Sequence, residues 1–175
     1  LTGTWLISGI VPAMIYYGLQ ILNPEIFLFA SCIICAIVSL ASGSSWSTIA
    51  TIGIALIGIG DVLGISHGLV AGSIISGAYF GDKMSPLSDT TNLAAAMSGS
   101  DLFIHIRYMM YTTIPTFIIT LIIFFIIGLS IETSSEQNIN LLLSALDTKF
   151  NINLWLFIVP LSVVILIIKK TPAIP

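Results

Sequence analysis

The sequence predicts an all-α polytopic membrane protein built of transmembrane helices, a re-entrant hairpin and one discontinuous helix. Three observations predict it. Of 175 residues, 57% are hydrophobic and only 7% charged, and mean hydropathy is +1.10, whereas soluble domains carry roughly a quarter charged residues. Apolar windows of about 18 residues recur, the length that crosses hydrocarbon as a helix. A polar string, "GDKMSPLSDTTN" at 81–92, stands between two apolar runs that are each too short to span. With Leu1 in place of an initiator methionine and no basic region before a short apolar core, no signal peptide is visible. We expect a single transmembrane unit over 1–175, an internal piece of a longer membrane protein.

The elements follow in order. Residues 5–22, "WLISGIVPAMIYYGLQIL", read as a first pass interrupted by Gly9 and Pro12. "NPE" at 23–25 is a turn, because asparagine and proline stop one helix and Glu25 suits the first turn of the next. Residues 26–60 hold two apolar runs joined by the tip "SGSSWS" at 42–47. They form either two full passes or a re-entrant hairpin. The hairpin is preferred because each run is short, and irregular backbone at depth needs protein or water around it. "DVLGISH" at 61–67 is a polar link.

Residues 68–99 are expected to form one broken pass, two short apolar halves around an unwound stretch at 81–90. Pro86 removes a backbone donor and disfavours helix at Ser85. "DLFIHIR" at 101–107 is an amphipathic rim, and 108–130 is the clearest transmembrane helix, with a kink expected at Pro115. An external loop at 131–151 and a pass at 152–168 follow, ending at Lys169 and Lys170. Arg107 and that lysine pair flank two helices whose connecting loop carries Glu132, Glu136 and Asp147. The positive-inside rule puts the basic residues in the cytoplasm and the loop outside. Asp61 then lies towards the outside, and Asp82 and Asp89 at mid-depth.

Ionisable groups at mid-depth cost about 2.5–3.5 kcal/mol on insertion scales and mark functional sites by default. A half-helix ending near Phe80 aims its carbonyl end at the break, favouring a cation; one starting near Thr90 aims its amide end there, favouring an anion. Ser85, Ser88, Thr90, Thr91 and Asn92 add neutral oxygens suited to a small hard cation. Asp82 and Asp89, able to hold either Na+ or a proton, are the candidate ion ligands. Competition of the two cations for one carboxylate gives exchange directly. Ser44, Ser45, Ser47 and Thr48 at the hairpin tip form a second candidate cluster.

Plainer readings stand beside these. The string could be a surface turn, Asp89 only a helix cap, Lys83 an internal charge partner of Asp82, and the tip serines only caps. His105, four residues after Asp101, could sense pH at the cytoplasmic rim or be satisfied by a neighbour. Cys32 and Cys35 have C-x-x-C spacing but no redox or zinc context, and read as small residues packing a helix face.

The stretch "SGAYFGDKMSPLSDTTNLAAAMSG" at 76–99 is similar to the signature of the NhaC-type Na+/H+ antiporters, within the ion transporter superfamily. "VPAMIYYGLQILNP", "CAIVSLASGSSWSTIATIGIALIGIG" and "HIRYMMYTTIP" resemble that family too, so the likeness covers most of residues 3–130. The resemblance implies secondary active transport in the cytoplasmic membrane, with inverted repeats, re-entrant hairpins and broken helices meeting at a mid-membrane site. It implies that this chain holds about one repeat, the rest of the site coming from the remainder of the same polypeptide. Ion-site roles carry over to Asp82, Asp89 and their hydroxyl neighbours, and to "GSSWST". Some similar proteins exchange malate with lactate, coupled to protons and sodium; Lys83 and Arg107 are the basic residues here that could meet a carboxylate. No cofactor is expected beyond the transported Na+ and H+, and no nucleic-acid partner. The lipid bilayer and, as an open alternative, a second copy in a homodimer complete the expected partners.

Two other classes compete with transport. "GIGD" at 58–61 matches the G-x-G-D string of intramembrane aspartyl proteases, with Asp82 as the second acid, and "GISHG" at 64–68 matches G-x-S-x-G. Paired acids must lie close enough to share a proton, and the serine elbow needs a strand-to-helix turn; neither suits this chain. A membrane scaffold would account for the hydrophobicity but not for the buried charges.

Overall fold

The computed structural model describes residues 7–21, 23–131, 148, 150, 152–159 and 162. The expected loop at 131–151 and the pass at 152–168 with its lysine pair lie largely outside them. Every element among the described residues is helical. α1 spans Ile10–Ile21. Pro12 falls in its first turn, where the missing N–H has no helical partner to lose, so it does not break the helix.

Asn23 opens the next element: its side chain accepts from the Glu25 N–H at 3.2 Å, starting a 3-10 turn at Pro24–Ile26 that runs into α2, Phe27–Ser42. Gly43 ends α2 at φ +67, a left-handed conformation that glycine adopts without strain. Ser44 caps α3, Ser45–Val62, accepting from the Ser47 N–H at 3.3 Å. Within α3, Ile49–Gly53 forms one π-helical turn. The arms of this hairpin, Pro24–Ser42 and Ser45–Val62, are 19 and 18 residues of strongly apolar sequence. At 1.5 Å per residue they are about 28 and 27 Å long, enough to cross hydrocarbon unaided. Length therefore does not compel the hairpin to be re-entrant, and the alternative of two full passes is equally served.

α4 spans His67–Met84 and α5 spans Asp89–Met97. The unwound stretch is narrower than expected. It covers 85–88 rather than 81–90, so Asp82 and Lys83 occupy the last turn of α4. α6, Leu102–Leu129, is a single helix, about 42 Å long. The expected rim segment is its first two turns, and Pro115 lies inside it without ending it. Asp101 caps α6 by accepting from the Phe103 and Ile104 N–H groups at 2.9 and 3.2 Å.

α2 and α4 run parallel and form the tightest seam. A Cβ on Gly77 would collide with the Cys32 carbonyl, and one on Gly81 with the Ala36 carbonyl; small residues are what let helix backbones approach this closely. Cys32 and Cys35 are fully buried in this seam's core with Phe27, Leu28, Ile74 and Ala78, as their reading as small packing residues anticipated. α3 runs antiparallel to α4, with Gly60 against Val70 and Gly53 against Ile74. α6 runs antiparallel to α2, with Phe29 against Phe125 and Gly128 against Glu25.

These contacts sort the helix ends into two levels. Glu25, Asp61, His67 and Gly128 lie at one; the tip 42–47, the break 85–88 and the start of α6 lie at the other.

Candidate functional site

The site forms at the second level, where four helix ends meet. α4 brings Asp82, Lys83 and Tyr79; α3 brings Ser45 from its first turn; α5 brings Thr90 and Thr91; α6 brings His105 and Met109. They surround a cavity of about 290 Å3. Two irregular segments hold it in place. Gly43 in the hairpin turn abuts Leu87 in the break, where an added Cβ would lie 2.6 Å from the Leu87 carbonyl carbon. The Ser85 hydroxyl donates to the Leu40 carbonyl at 2.8 Å, and Ser39 donates to the Ala78 carbonyl.

Asp82 is the centre of the arrangement. Its Oδ2 accepts from the Ser45 hydroxyl at 3.0 Å. Its Oδ1 is buried with no hydrogen-bond partner. A buried acceptor left unmatched costs about 1–3 kcal/mol, more if charged, so native structures rarely keep one without a reason. A carboxylate half satisfied by the protein has one oxygen in reserve for a proton or a cation.

Lys83 does not supply the missing partner. It makes no ion pair with Asp82; its ammonium sits 4.9 Å above the centre of the Tyr79 ring, a cation–π contact. The reading of Lys83 as the internal counter-ion is thus corrected. Neighbours in sequence on a helix point about 100° apart, whereas Tyr79 and Lys83, four apart, share a face.

The other candidates divide by role. Thr91 is buried, donates to the Lys83 carbonyl at 3.2 Å, and lines the cavity. Thr90 lines it too, its hydroxyl 2.9 Å from that of Ser88. Ser85, Ser88 and Asn92 hold the break together instead of lining the cavity. Ser88 is the N-cap of α5, accepting from the Thr91 N–H at 3.4 Å, and Asn92 donates to the Pro86 and Ser88 carbonyls at 2.8 and 2.7 Å. Asp89 is neither the cap nor in the cavity: it is the first residue of α5, exposed, with Oδ1 accepting from the Thr90 N–H at 2.9 Å. Of Ser44, Ser45, Ser47 and Thr48, only Ser45 lines the site. Ser44 is a cap, Ser47 is exposed, and Thr48 is buried with its hydroxyl donating to the Ser44 carbonyl at 2.9 Å.

His105, read as a rim residue, is in fact a wall of the Asp82 cavity. Tyr79, Trp46 and Met109 also line it and were not singled out from sequence. Only Tyr79 had a signal, its four-residue spacing from Lys83. The protease geometry is absent. Asp61 pairs with His67 at 2.7 Å at the opposite level, about 22 Å along α4 from Asp82, so the two acids cannot share a proton. Ser66, the serine of "GISHG", precedes α4 with a helix, not a strand, before it. Among the described residues no cluster of three or more His, Cys, Asp or Glu could hold a metal ion.

Residues 77–175 match the model of the Na+/H+ antiporter family. The chain belongs to that family. The resemblance read from residues 76–99 is thereby upheld. The Na(+)/H(+) antiporter NhaC of Alkalihalophilus pseudofirmus is 50% identical over 171 residues, covering 98% of this chain and 37% of the relative. The malate-2H(+)/Na(+)-lactate antiporter of Bacillus subtilis is 47% identical over 177 residues, covering 100% of this chain and 38% of the relative. The arginine/ornithine antiporter ArcD of Halobacterium salinarum is 45% identical over 133 residues, 76% of this chain and 27% of the relative. This family member therefore spans less than two-fifths of the length of these relatives. No solved structure matches it.

Proposed function

We propose that the native polypeptide containing this antiporter-family chain exchanges Na+ for protons across the cytoplasmic membrane, with Asp82 as the carboxylate for which the two compete. One observation carries the reading: Asp82 Oδ1 is buried and unpartnered while Oδ2 is held by Ser45. The Ser45 hydroxyl orients the carboxylate from a different helix. Thr90 and Thr91 supply neutral oxygens in the same cavity, the donor chemistry a small hard cation takes. When Asp82 takes a proton it gains a donor and loses its charge, and a cation no longer has a reason to stay. When Na+ binds, its positive charge favours the ionised carboxylate and so disfavours the proton. Binding of one then requires release of the other, which is exchange.

The re-entrant hairpin and the broken pass 68–99 belong to the same proposal. Asp82 is level with the hairpin tip, so mid-membrane depth for the carboxylate and re-entrancy of α2–α3 stand or fall together. The tip packs on the break through Gly43 and Leu87, the protein cover that irregular backbone needs in hydrocarbon. The remaining polypeptide completes the site as a second repeat, with sides assigned so that Arg107 is cytoplasmic. Homodimerisation stays within the proposal without support from any contact here.

A second reading has its own support. Lys83 pairs with no carboxylate among the described residues and lines the same cavity, so it could meet an organic acid of the kind named for the malate–lactate relative. The test is made in vesicles containing the native polypeptide. An imposed Na+ gradient should drive a pH change that an internal dye reports and that Asp82→Asn abolishes. Undiminished exchange in Asp82→Asn rejects the assignment. A pH change driven by a malate gradient but not by Na+ alone selects the second reading.

A further inference from the structure

We propose that the groove between α4 and α6 is a cation path: the oxygens of Thr112, Thr116 and Thr120 lead Na+ to the Asp82 cavity past Lys83 and Tyr79. The inference rests on the exchange reading of Asp82 and adds the route by which the ion arrives. The groove has a volume of about 310 Å3, room for on the order of ten waters at about 30 Å3 each. Its walls come from α6, through the threonines, and from α4, through Ser76, Tyr79 and Lys83. The three threonines are four residues apart, so each is about 6 Å further along one face of α6.

Their hydrogen bonds decide what the face can bind. Thr112 donates to the Met109 carbonyl at 3.1 Å, Thr116 to the Thr112 carbonyl at 2.7 Å and Thr120 to the Thr116 carbonyl at 2.9 Å. Each hydroxyl has one hydrogen, and each hydrogen is already used. What these three hydroxyls offer the groove is lone pairs. A surface of acceptors suits a cation or the hydrogens of its hydration water. The groove's donors lie beside that face, at Thr113 of α6 and at Ser76, Tyr79 and Lys83 of α4.

The path has a defined end. Tyr79 and Lys83 line both this groove and the Asp82 cavity, so the two spaces meet at their side chains. A lysine ammonium at that junction opposes a passing cation. Its seat on the Tyr79 ring, 4.9 Å from the centre, is the position from which it must move or past which the ion must go. The stacked rings of Phe80 and Phe117, 3.9 Å apart, form the apolar side of the groove. The face begins where the site ends: Met109, whose carbonyl receives Thr112, itself lines the Asp82 cavity.

The alternative is a face turned to lipid with its hydroxyls tied to the backbone merely to be tolerated there. Water tells the two apart, because the thiolate that attacks a methanethiosulfonate and expels its sulfinate forms in water and not in hydrocarbon. In vesicles of the native polypeptide, Thr116→Cys should react with a cationic methanethiosulfonate, Na+ should slow the reaction, and exchange should fall once it is complete. Thr116→Val, which keeps the shape and removes the oxygen, should raise the Na+ KM roughly three- to tenfold, as expected for one lost polar contact; Thr116→Ser should restore it. An exchange-competent Thr116→Cys that stays unmodified overturns the path, as does an unchanged KM in Thr116→Val. If the cysteine variant does not fold, the valine and serine pair decides alone. Retained exchange in Asp82→Asn overturns path and site together. Loss of exchange in that variant, with an unchanged KM in Thr116→Val, overturns the path only.

Discussion

Asp82 is poised by the partner it lacks. Ser45 steadies one oxygen and leaves the other buried and free, while Lys83, the nearest cation in sequence, is held away on Tyr79. Among the described residues, Asp82 and Lys83 from α4 and the His105 imidazole from α6 line this cavity. In the proposed exchange, a positive charge on the His105 imidazole would oppose Na+ in this space. His105→Gln should therefore move the acid edge of exchange to lower pH while leaving the Na+ KM at alkaline pH unchanged. An unmoved pH profile removes His105 from the mechanism. The sequence made Asp82 conspicuous, since carboxylates in oil are costly, but could not separate it from Asp89. The distinction is one of geometry: Asp82 lies in a helix end covered by α3, α5 and α6, and Asp89 one turn of chain later faces outward.

At the scale of elements, the α2–α4 seam carries the site, because it fixes the end of α4 against the hairpin. Gly81→Ala should force the seam apart at the Ala36 carbonyl and lower stability by roughly 1–3 kcal/mol, the usual cost of overpacking. Thermal unfolding of the purified protein in detergent measures it. Gly68→Ala, where a Cβ meets nothing within 4 Å, is the control and should not lower the midpoint. The seam was half legible. Small residues at Cys32 and Cys35 were readable as packing, and Gly77 and Gly81 have the four-residue spacing of a close helix contact. α4 runs further than expected from sequence, where Asp82 and Lys83 look like part of the unwound stretch. A covered cavity lets a helix keep both in its last turn, and Pro86 acts only on the residue before it, so the break begins at Ser85. Ser88 and Asp89 are both good caps, and only the fold selects Ser88.

At the scale of the molecule, polar residues collect at two levels about 22 Å apart along α4. Glu25, Asp61 and His67 mark one, and the Asp82 cavity marks the other. Long-range association of this kind, such as His105 and Asp82 lining one cavity, leaves no local pattern in sequence. Whether the second level is a membrane surface or an interior site turns on the hairpin, and Ser47, exposed beside its tip, is the place to ask. A bulky impermeant maleimide should fail to label Ser47→Cys from either side if the arms are re-entrant. Ready labelling from the side of Arg107 would make them full passes. In either case Gly43 leaves no gap beneath Leu87. The bend in one helix pair and the bend in another are thus fitted like tongue and slot. Neither can slide without dragging its fellow, so opening the binding chamber to one side or the other has to shift both as a single block.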